Sequence, residues 1–200
     1  MSHYQGDIDW KALSAMKIRG TRIDFVFMKA TEGDELKDRL FQKNWAAAKW
    51  EGLLRGAYHF YRPHIKSTLQ AKHFIKTVKM VKGDLPPVLD IETRGPYSEA
   101  NMRQGLKNWL SIIEGHYGVK PIIYTNLNFY KKYLKGHFPE HYFWIAQYRP
   151  PGSFRTSPGL DSERWLFWQH SDQGLVNGVA GKVDFNVFQG NRRALEALTF

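Results

Sequence analysis

The sequence predicts an α/β fold, a TIM-like (β/α) barrel with reduced helices after the later strands. Seven short β-rich runs recur along the 200 residues, and helical patterns fill the intervals between the earlier runs. The last three runs lie too close together for full helices between them. We therefore expect a mostly parallel sheet with helices outside it. The predicted strands are residues 25–31, 56–61, 87–92, 121–125, 142–148, 165–171 and 183–188.

Three helices are predicted between the earlier strands, and residues at their ends support each one. The first is expected to stop at Gly52, and the second to begin after Ser67 as N-cap. The third carries an apolar stripe between Ser98 and Gly118, which are a good N-cap and a good C-terminal stop. The predicted helices are residues 38–51, 68–81 and 99–117.

Charge and composition limit the possible function classes. The net charge of +10 suits an anionic partner such as nucleic acid, acidic membrane or an anionic cell-wall polymer. The basic residues are scattered, which argues against a nucleic-acid arm, and no apolar stretch reaches the ~18 residues of a membrane span. The chain has no cysteine, so disulfides and thiolate metal sites are excluded. Aromatic residues are abundant; for Trp144 and Trp168, barrel filling and a sugar platform are equally good interpretations.

A pair of carboxylates ends the third predicted strand. Asp90 and Glu92 follow an apolar run, and residues two apart on a strand share a face. Burying one carboxylate is unfavourable and a second beside it is worse, so the pair indicates an active site. There, one acid would keep its proton while the other stays ionised. Two alternatives stay open, namely an exposed strand end and a cation site.

Polar or aromatic residues recur near the end of each predicted strand. Active sites of parallel barrels lie at the carboxyl ends of the strands, so this repetition predicts a site at that edge. The residues are Lys29, Glu32, Tyr58, His59, Asp90, Glu92, Tyr124, Asn126, Gln147, Tyr148, Gln169, His170, Asp184 and Asn186.

Some of these side chains have a structural interpretation. Lys29 and Glu32 fit an ion pair that holds the mouth of the barrel. His59 and His170 lack the spacing of a metal site, and we expect them to be hydrogen-bonded structural residues. The sequence therefore predicts no metal and no other cofactor.

Eight short motifs occur in order along the chain. They are Ser-His-Tyr-Gln-Gly at 2–6, Phe-Met-Lys-Ala-Thr-Glu-Gly at 27–33, Gly-Ala-Tyr-His-Phe-Tyr-Arg-Pro at 56–63, Leu-Pro-Pro-Val-Leu-Asp-Ile-Glu at 85–92, Pro-Ile-Ile-Tyr-Thr at 121–125, Trp-Ile-Ala-Gln-Tyr at 144–148, Trp-Gln-His-Ser at 168–171 and Val-Asp-Phe-Asn at 183–186. Each motif alone is weak, but their order and intervals are specific. Together they resemble the glycoside hydrolase family 25 lysozymes, which are N-acetylmuramidases.

The resemblance implies a (β/α) barrel that hydrolyses the β-1,4 bond between N-acetylmuramic acid and N-acetylglucosamine in peptidoglycan. Glu92 would protonate the leaving oxygen, and Asp90 would orient the substrate's acetamido group as internal nucleophile. Asp184 would line the cleft as a supporting carboxylate. Two carboxylates so close in sequence cannot flank the bond, which also favours a retaining, substrate-assisted route. The residues expected to bind substrate are Tyr58, Tyr124, Gln169, Trp144 and Asn186.

The beginning of the chain departs from the family's pattern. Family members usually begin Gly-Ile-Asp-Val-Ser-His-Tyr-Gln, whereas this chain opens Met1-Ser2-His3, so the first Asp would fall just before Met1. We therefore expect a single catalytic domain over residues 1–200 whose first barrel strand is truncated before Met1. Two other functions stay open, a catalytically impaired peptidoglycan-binding protein and a hydrolase of another N-acetylated glycan.

The expected partner is the peptidoglycan glycan strand, with no nucleic acid and no membrane insertion, and the expected state is a monomer. No signal peptide is visible in the sequence. The implied activity nevertheless predicts a secreted or cell-envelope location.

Overall fold

The computed structural model describes residues 1–18, 20–149, 157–158 and 164–200. A small hairpin consists of β1 Lys17–Ile18 and β2 Thr21–Arg22. The main sheet consists of β3 Phe25–Glu32, β4 Leu36–Lys37, β5 Leu54–Phe60, β6 Val88–Asp90, β7 Ile122–Asn126, β8 Phe143–Ala146, β9 Trp165–Gly174 and β10 Val183–Phe188. The helices are a 3₁₀ helix His3–Gln5, α1 Trp10–Ala15, α2 Phe41–Trp50, α3 Ser67–Thr77, α4 Glu99–Tyr117, α5 Leu127–Phe129 with a π-helical continuation Tyr130–Leu134, and α6 Arg192–Glu196.

The main sheet is mixed and curled into a half-barrel. Its strand order is β10-β9-β8-β7-β6-β5-β3-β4, and β3 and β5 to β9 are parallel to their neighbours in this series. The mostly parallel sheet is thus confirmed. A closed barrel is not formed by the described residues, since β10 and β3 do not pair with each other.

The last strand runs in the opposite direction to the prediction. We expected Asp184 and Asn186 at the carboxyl end of a parallel strand, but β10 is antiparallel to β9. Asp184 therefore lies near the amino end of β10 and still reaches the edge where the parallel strands end. The connection between β9 and β10 contains no helix, as predicted for this late pair.

The beginning of the chain touches β3 at a single residue. The amino group of Met1 donates to the carbonyl of Phe27 at 2.9 Å, and the amide of Lys29 donates to the carbonyl of Met1 at 2.8 Å. This is the pattern of a parallel bridge. The next residues turn into the 3₁₀ helix, where the Ser2 hydroxyl accepts from the amide of Tyr4. Residues 1–6 consequently form no strand between β3 and β10.

The helix ends agree with the prediction for one helix and differ for another. α4 has the predicted bounds, because the Ser98 hydroxyl accepts from the amide of Asn101 and Gly118 ends the helix at φ 69°. α3 begins at Ser67 itself, so the prediction of Ser67 as N-cap is wrong. α3 also ends at Thr77, four residues before the predicted end at residue 81. Val78 leaves the helix in an extended conformation, in which its carbonyl accepts from the hydroxyl of Tyr117 at 2.9 Å.

The strands alternate between two apolar layers, and the two tryptophans considered above lie in different layers. Trp144 packs inside the curl of the sheet with Phe27 and Phe167, whereas Trp168 belongs to the larger core under the helices. Neighbouring strand residues point to opposite faces, so one sheet supplies both layers. In the described part of the chain, no helix is long and apolar enough to span a membrane.

Candidate active site

One cleft of about 1200 Å³ opens at the carboxyl ends of the parallel strands. It continues into the slot between the unpaired strands β3 and β10, whose lining includes Phe25 and Phe27 of β3 and Val183 and Phe185 of β10. All eight residues predicted to act in catalysis or substrate binding line this one cleft. They are Tyr58, Asp90, Glu92, Tyr124, Trp144, Gln169, Asp184 and Asn186.

The two central carboxylates are held by backbone contacts between neighbouring strands. The amide of Tyr61 donates to the carbonyl of Asp90, and the amide of Ile91 donates to the carbonyl of Tyr124. Asp90 ends β6 and is only 6% exposed, whereas Glu92 lies just beyond the strand and is open to solvent. The pair is therefore asymmetric, with one acid in the wall of the cleft and the other at its surface.

The asymmetry affects the pKa of both acids. Burial, and then the charge of Glu92, raise the pKa of Asp90 well above its usual value. Burial also raises the pKa of Glu92, but its hydrogen bond with Asp90 works in the opposite direction. The pKa of both carboxyls is thus raised, and burial is the largest cause for each. An ionised Asp90 beside a protonated Glu92 stays a prediction, and the deep burial of Asp90 opposes its ionised form in the free protein.

The structure also shows an unsatisfied atom on Asp90. Its Oδ1 is buried and has no hydrogen-bond partner among the described residues. A buried carboxyl oxygen without a partner is unfavourable by about 1–3 kcal/mol. Within an open cleft, such an atom is suited to accept a hydrogen bond from a ligand.

Asp184 joins the pair from the opposite side of the cleft. Burial raises the pKa of Asp184, the charge of the Met1 amino group lowers it, and the charge of Asp172 raises it. Asp184 in turn contributes to the raised pKa of Glu92. It therefore acts on the same electrostatic site, as expected for a supporting carboxylate.

Two tyrosines stand beside the carboxylates. Burial first, and the charge of Asp90 second, raise the pKa of both Tyr58 and Tyr124 far above the usual value. Their hydroxyls therefore stay protonated and can donate hydrogen bonds. The ring of Tyr124 also packs edge-on against Trp144, with the centroids 4.8 Å apart.

A chain of hydrogen bonds fixes the far wall of the cleft. The indole nitrogen of Trp144 donates to Oδ1 of Asn186 at 2.8 Å, and the Asn186 amide nitrogen donates to the backbone carbonyl of Asp184. Next to it on the sheet, the buried side chain of Gln169 donates to the hydroxyl of Tyr148 at 3.2 Å. Trp144 thus fills the interior and at the same time lines the cleft.

The ion pair predicted at the rim is present and is larger than predicted. Lys29 donates to Glu32 at 2.5 Å, and Arg62 also donates to Glu32 through its guanidinium. Both cations lie over the ring of Phe60. Lys29 is buried and lowers the pKa of Asp90, against the larger effects of burial and Glu92.

The two histidines differ in their surroundings. His59 is buried, contacts Thr31 at 2.8 Å and Gln70 at 3.0 Å, and has its pKa lowered to about 3 by burial. It is the structural residue that was predicted. His170 instead packs its ring against Trp168 and Phe185, and the described residues provide no hydrogen bond to that ring. No cluster of three potential metal ligands occurs in the described ranges.

The sequence analysis missed Arg149, which also lines the cleft. Its guanidinium stacks over Trp168 with the central carbon 4.2 Å from the ring centroid. No motif marked this residue, because the quoted segment ends one residue earlier at Tyr148. Its position after a strand end was the available signal.

Comparison with known proteins identifies the family. The family model for "Glycosyl hydrolases family 25" matches residues 1–179. The chain belongs to glycosyl hydrolase family 25. A solved family 25 glycosyl hydrolase from Bacillus anthracis has 35% sequence identity and a TM-score of 0.86, over 100% of this chain and 91% of that one.

Two curated relatives extend this result. The Escherichia coli K12 protein named "Uncharacterized protein YegX" is 43% identical over 98% of this chain and 71% of its own length. "Lysozyme M1" of Streptomyces globisporus is 32% identical over 99% of this chain and 69% of its own length. The predicted family is thus confirmed, and the cleft described above is the candidate active site of a family 25 glycoside hydrolase.

Proposed function

We propose that this protein is a lysozyme that hydrolyses the β-1,4 bond between N-acetylmuramic acid and N-acetylglucosamine in peptidoglycan. The observation that carries the proposal is the pairing of buried Asp90 with exposed Glu92 inside the common cleft. A relative from Streptomyces and one from Clostridium acetobutylicum carry the name lysozyme. Family membership therefore agrees with the chemistry of the site.

In the proposed reaction Glu92 is the general acid. It is the accessible member of the pair, so a leaving oxygen can reach it, and its raised pKa lets it hold a proton. Asp90 would accept a hydrogen bond from the N–H of the substrate's acetamido group, so that the acetamido carbonyl attacks the anomeric carbon. Its unpartnered Oδ1 supports this role.

Substrate binding would then favour the protonation states that the reaction needs. In the free protein, burial favours the neutral form of both acids. A hydrogen bond donated by the acetamido N–H favours the ionised form of Asp90, which lowers its pKa and leaves Glu92 as the protonated acid. Tyr58, Tyr124, Trp144, Gln169 and Asn186 form the walls that would hold the sugar, and Asp184 adds negative charge beside the developing cation.

The remaining expectations belong to the same proposal. The half-barrel sheet corresponds to a TIM-like barrel with reduced helices after the later strands, and residues 1–200 form one catalytic domain. The protein would act as a monomer on glycan strands, without nucleic acid or membrane insertion, in a secreted or cell-envelope location. In the described ranges no helix lies between β9 and β10, which supports the proposed fold, and the net charge of +10 supports an anionic glycan partner.

Product analysis tests the proposal. Purified peptidoglycan is incubated with the protein, and the new reducing ends are reduced and identified. We expect muramic acid ends. Glucosamine ends would instead indicate a glucosaminidase, and the absence of new ends together with tight sedimentation on walls would indicate a binding protein.

A further inference from the structure

Arg149 is held rigidly at the edge of the cleft. It lies three residues beyond the end of β8, and its amide donates to the carbonyl of His170 at 3.1 Å. Next to this hydrogen bond, the amide of Gln147 donates to the carbonyl of Gln169. The indole nitrogen of Trp168 donates to the carbonyl of Gln147 at 2.8 Å. The segment before Arg149 is therefore fixed to β9 by three hydrogen bonds.

The guanidinium of Arg149 is stacked but not neutralised. Its central carbon lies over Trp168, 4.2 Å from the ring centroid, so the indole covers one face of the cation. Its Nε is buried and has no hydrogen-bond partner, and no ion pair joins it to a carboxylate within the described ranges. By contrast Arg55 and Arg62 pair with Asp84 and Glu32.

Its neighbours do not supply the missing anion. Asp172 accepts from its own neighbour Gln173, and His170 has its pKa lowered by burial and by the charge of Arg149, which keeps the imidazole neutral. A planar cation with an unpaired donor, stacked on a tryptophan in an active-site cleft, fits a carboxylate.

We propose that Arg149 is a specificity residue that binds a carboxylate of the cell-wall glycan. The inference rests on the proposed function. Two carboxylates of the wall have this chemistry: the lactyl carboxylate of an unsubstituted N-acetylmuramic acid, and those of the peptide attached to the lactyl group. Arg149 would anchor one of them beside the sugar held by Trp144 and Gln169, and it would distinguish muramic acid glycans from neutral N-acetylated glycans such as chitin.

Binding of matched glycans tests this proposal. Three soluble tetrasaccharides of alternating glucosamine and muramic acid are compared: one with free lactyl carboxylates, one with these groups converted to simple amides, and one carrying peptides on them. Affinity is measured by calorimetry in a Glu92→Gln background, so that no ligand is consumed. In that background we expect the free acid to bind about 10-fold more tightly than the amide, as for a hydrogen-bonded charge pair.

Variants distinguish the effect of Arg149 on binding from the effect of the protein's overall positive charge. Arg149→Met should reduce affinity for the free acid about 10-fold and leave the amide unchanged, whereas Arg149→Lys should retain part of the preference. Arg193→Met removes the same charge from an exposed position on α6, outside the cleft, and should keep the full preference. A preference confined to the peptide-bearing glycan would assign the contact to the peptide carboxylates.

Equal loss of affinity for acid and amide in Arg149→Met would overturn the proposal, and so would a Glu92→Gln protein with Arg149 intact that binds neither the free acid nor the peptide-bearing glycan more tightly than the amide. The second outcome decides the question even if Arg149→Met does not fold. Cleavage by the protein with Glu92 intact is scored separately. If neither glycan is cut but the acid preference persists and depends on Arg149, the proposed hydrolysis fails while the carboxylate site stands.

Discussion

Asp90 and Glu92 lie two positions apart and occupy different environments. The strand ends between them, so Asp90 is packed by the neighbouring strands while Glu92 reaches solvent. The sequence could predict that the carboxylates share a face, because that follows from the period of a strand. It could not predict which of them is buried, because the end of β6 depends on its pairing with β5 and β7.

Replacement of Asp90 by asparagine should stabilise the fold at neutral pH. The folded-state pKa of Asp90 is raised, so the folded protein binds more protons than the unfolded chain above the usual aspartate value of 3.8. Stability is therefore lost as the pH rises through the folded-state pKa, and the amide avoids this loss. We expect Asp90→Asn to increase the free energy of unfolding by about 1 kcal/mol or more at neutral pH.

Thermal unfolding at several pH values measures this effect. The difference between Asp90→Asn and the unsubstituted protein should shrink toward acid pH, where both side chains are neutral. A difference that is independent of pH would show that Asp90 is not buried as an acid with a raised pKa. Activity should fall in the same variant, since the amide cannot take the role of the carboxylate.

At the scale of elements, the site depends on the one strand whose direction the sequence analysis predicted wrongly. A run of residues such as 183–188 has the same alternation in either direction, so composition carries no information about orientation. The orientation is set by the short helix-free connection from β9, which allows only an antiparallel return. The length of α3 was also mispredicted, because the tertiary contact between Val78 and Tyr117 overrides the helical pattern.

The connection between β9 and β10 also contacts the beginning of the chain through Gly178. We predict that substitution of this glycine reduces stability. Gly178 has φ +81°, its carbonyl accepts from the amide of Asp9, and a Cβ there would lie 2.3 Å from the Asp9 carbonyl oxygen. Gly178→Ala should therefore reduce stability by about 1–3 kcal/mol. Gly181→Ala is the matched control, since a Cβ at Gly181 meets nothing within 4 Å. Denaturant unfolding that gives equal stabilities for the two variants would contradict this account of the connection.

At the scale of the whole molecule, the order of motifs predicted the family, the alternation of strands and helices predicted the parallel strands, and all eight named site residues line the central cleft. The half-barrel and its slot were not predictable in detail. They depend on whether residues 1–6 reach both β3 and β10, and the single bridge at Met1 shows that they pair with β3 alone. Arg149 was missed because its significance lies in stacking on Trp168 and in its lack of a carboxylate partner, which are properties of the fold.

The net charge of +10 predicts that attraction to anionic cell walls is largely electrostatic. Binding should therefore weaken steeply as salt shortens the Debye length from ~10 Å at 0.1 M to ~3 Å at 1 M. Sedimentation of the Glu92→Gln variant with purified walls measures binding without hydrolysis. Binding that is unchanged at high salt would assign the main attraction to sugar stacking on the aromatic walls of the cleft.

The central claim is that Glu92 is the acid of a peptidoglycan hydrolase, and the rate of release of new reducing ends from purified peptidoglycan tests it most directly. Three proteins are compared: the unsubstituted chain, Glu92→Gln, and Glu140→Gln, which alters an exposed glutamate at the opposite end of the sheet. The glutamine is isosteric but donates no proton to the leaving oxygen. We predict a rate about 10²–10⁴-fold lower for Glu92→Gln, with no loss of thermal stability, and a normal rate for Glu140→Gln. A rate for Glu92→Gln equal to that of the unsubstituted chain would contradict the account.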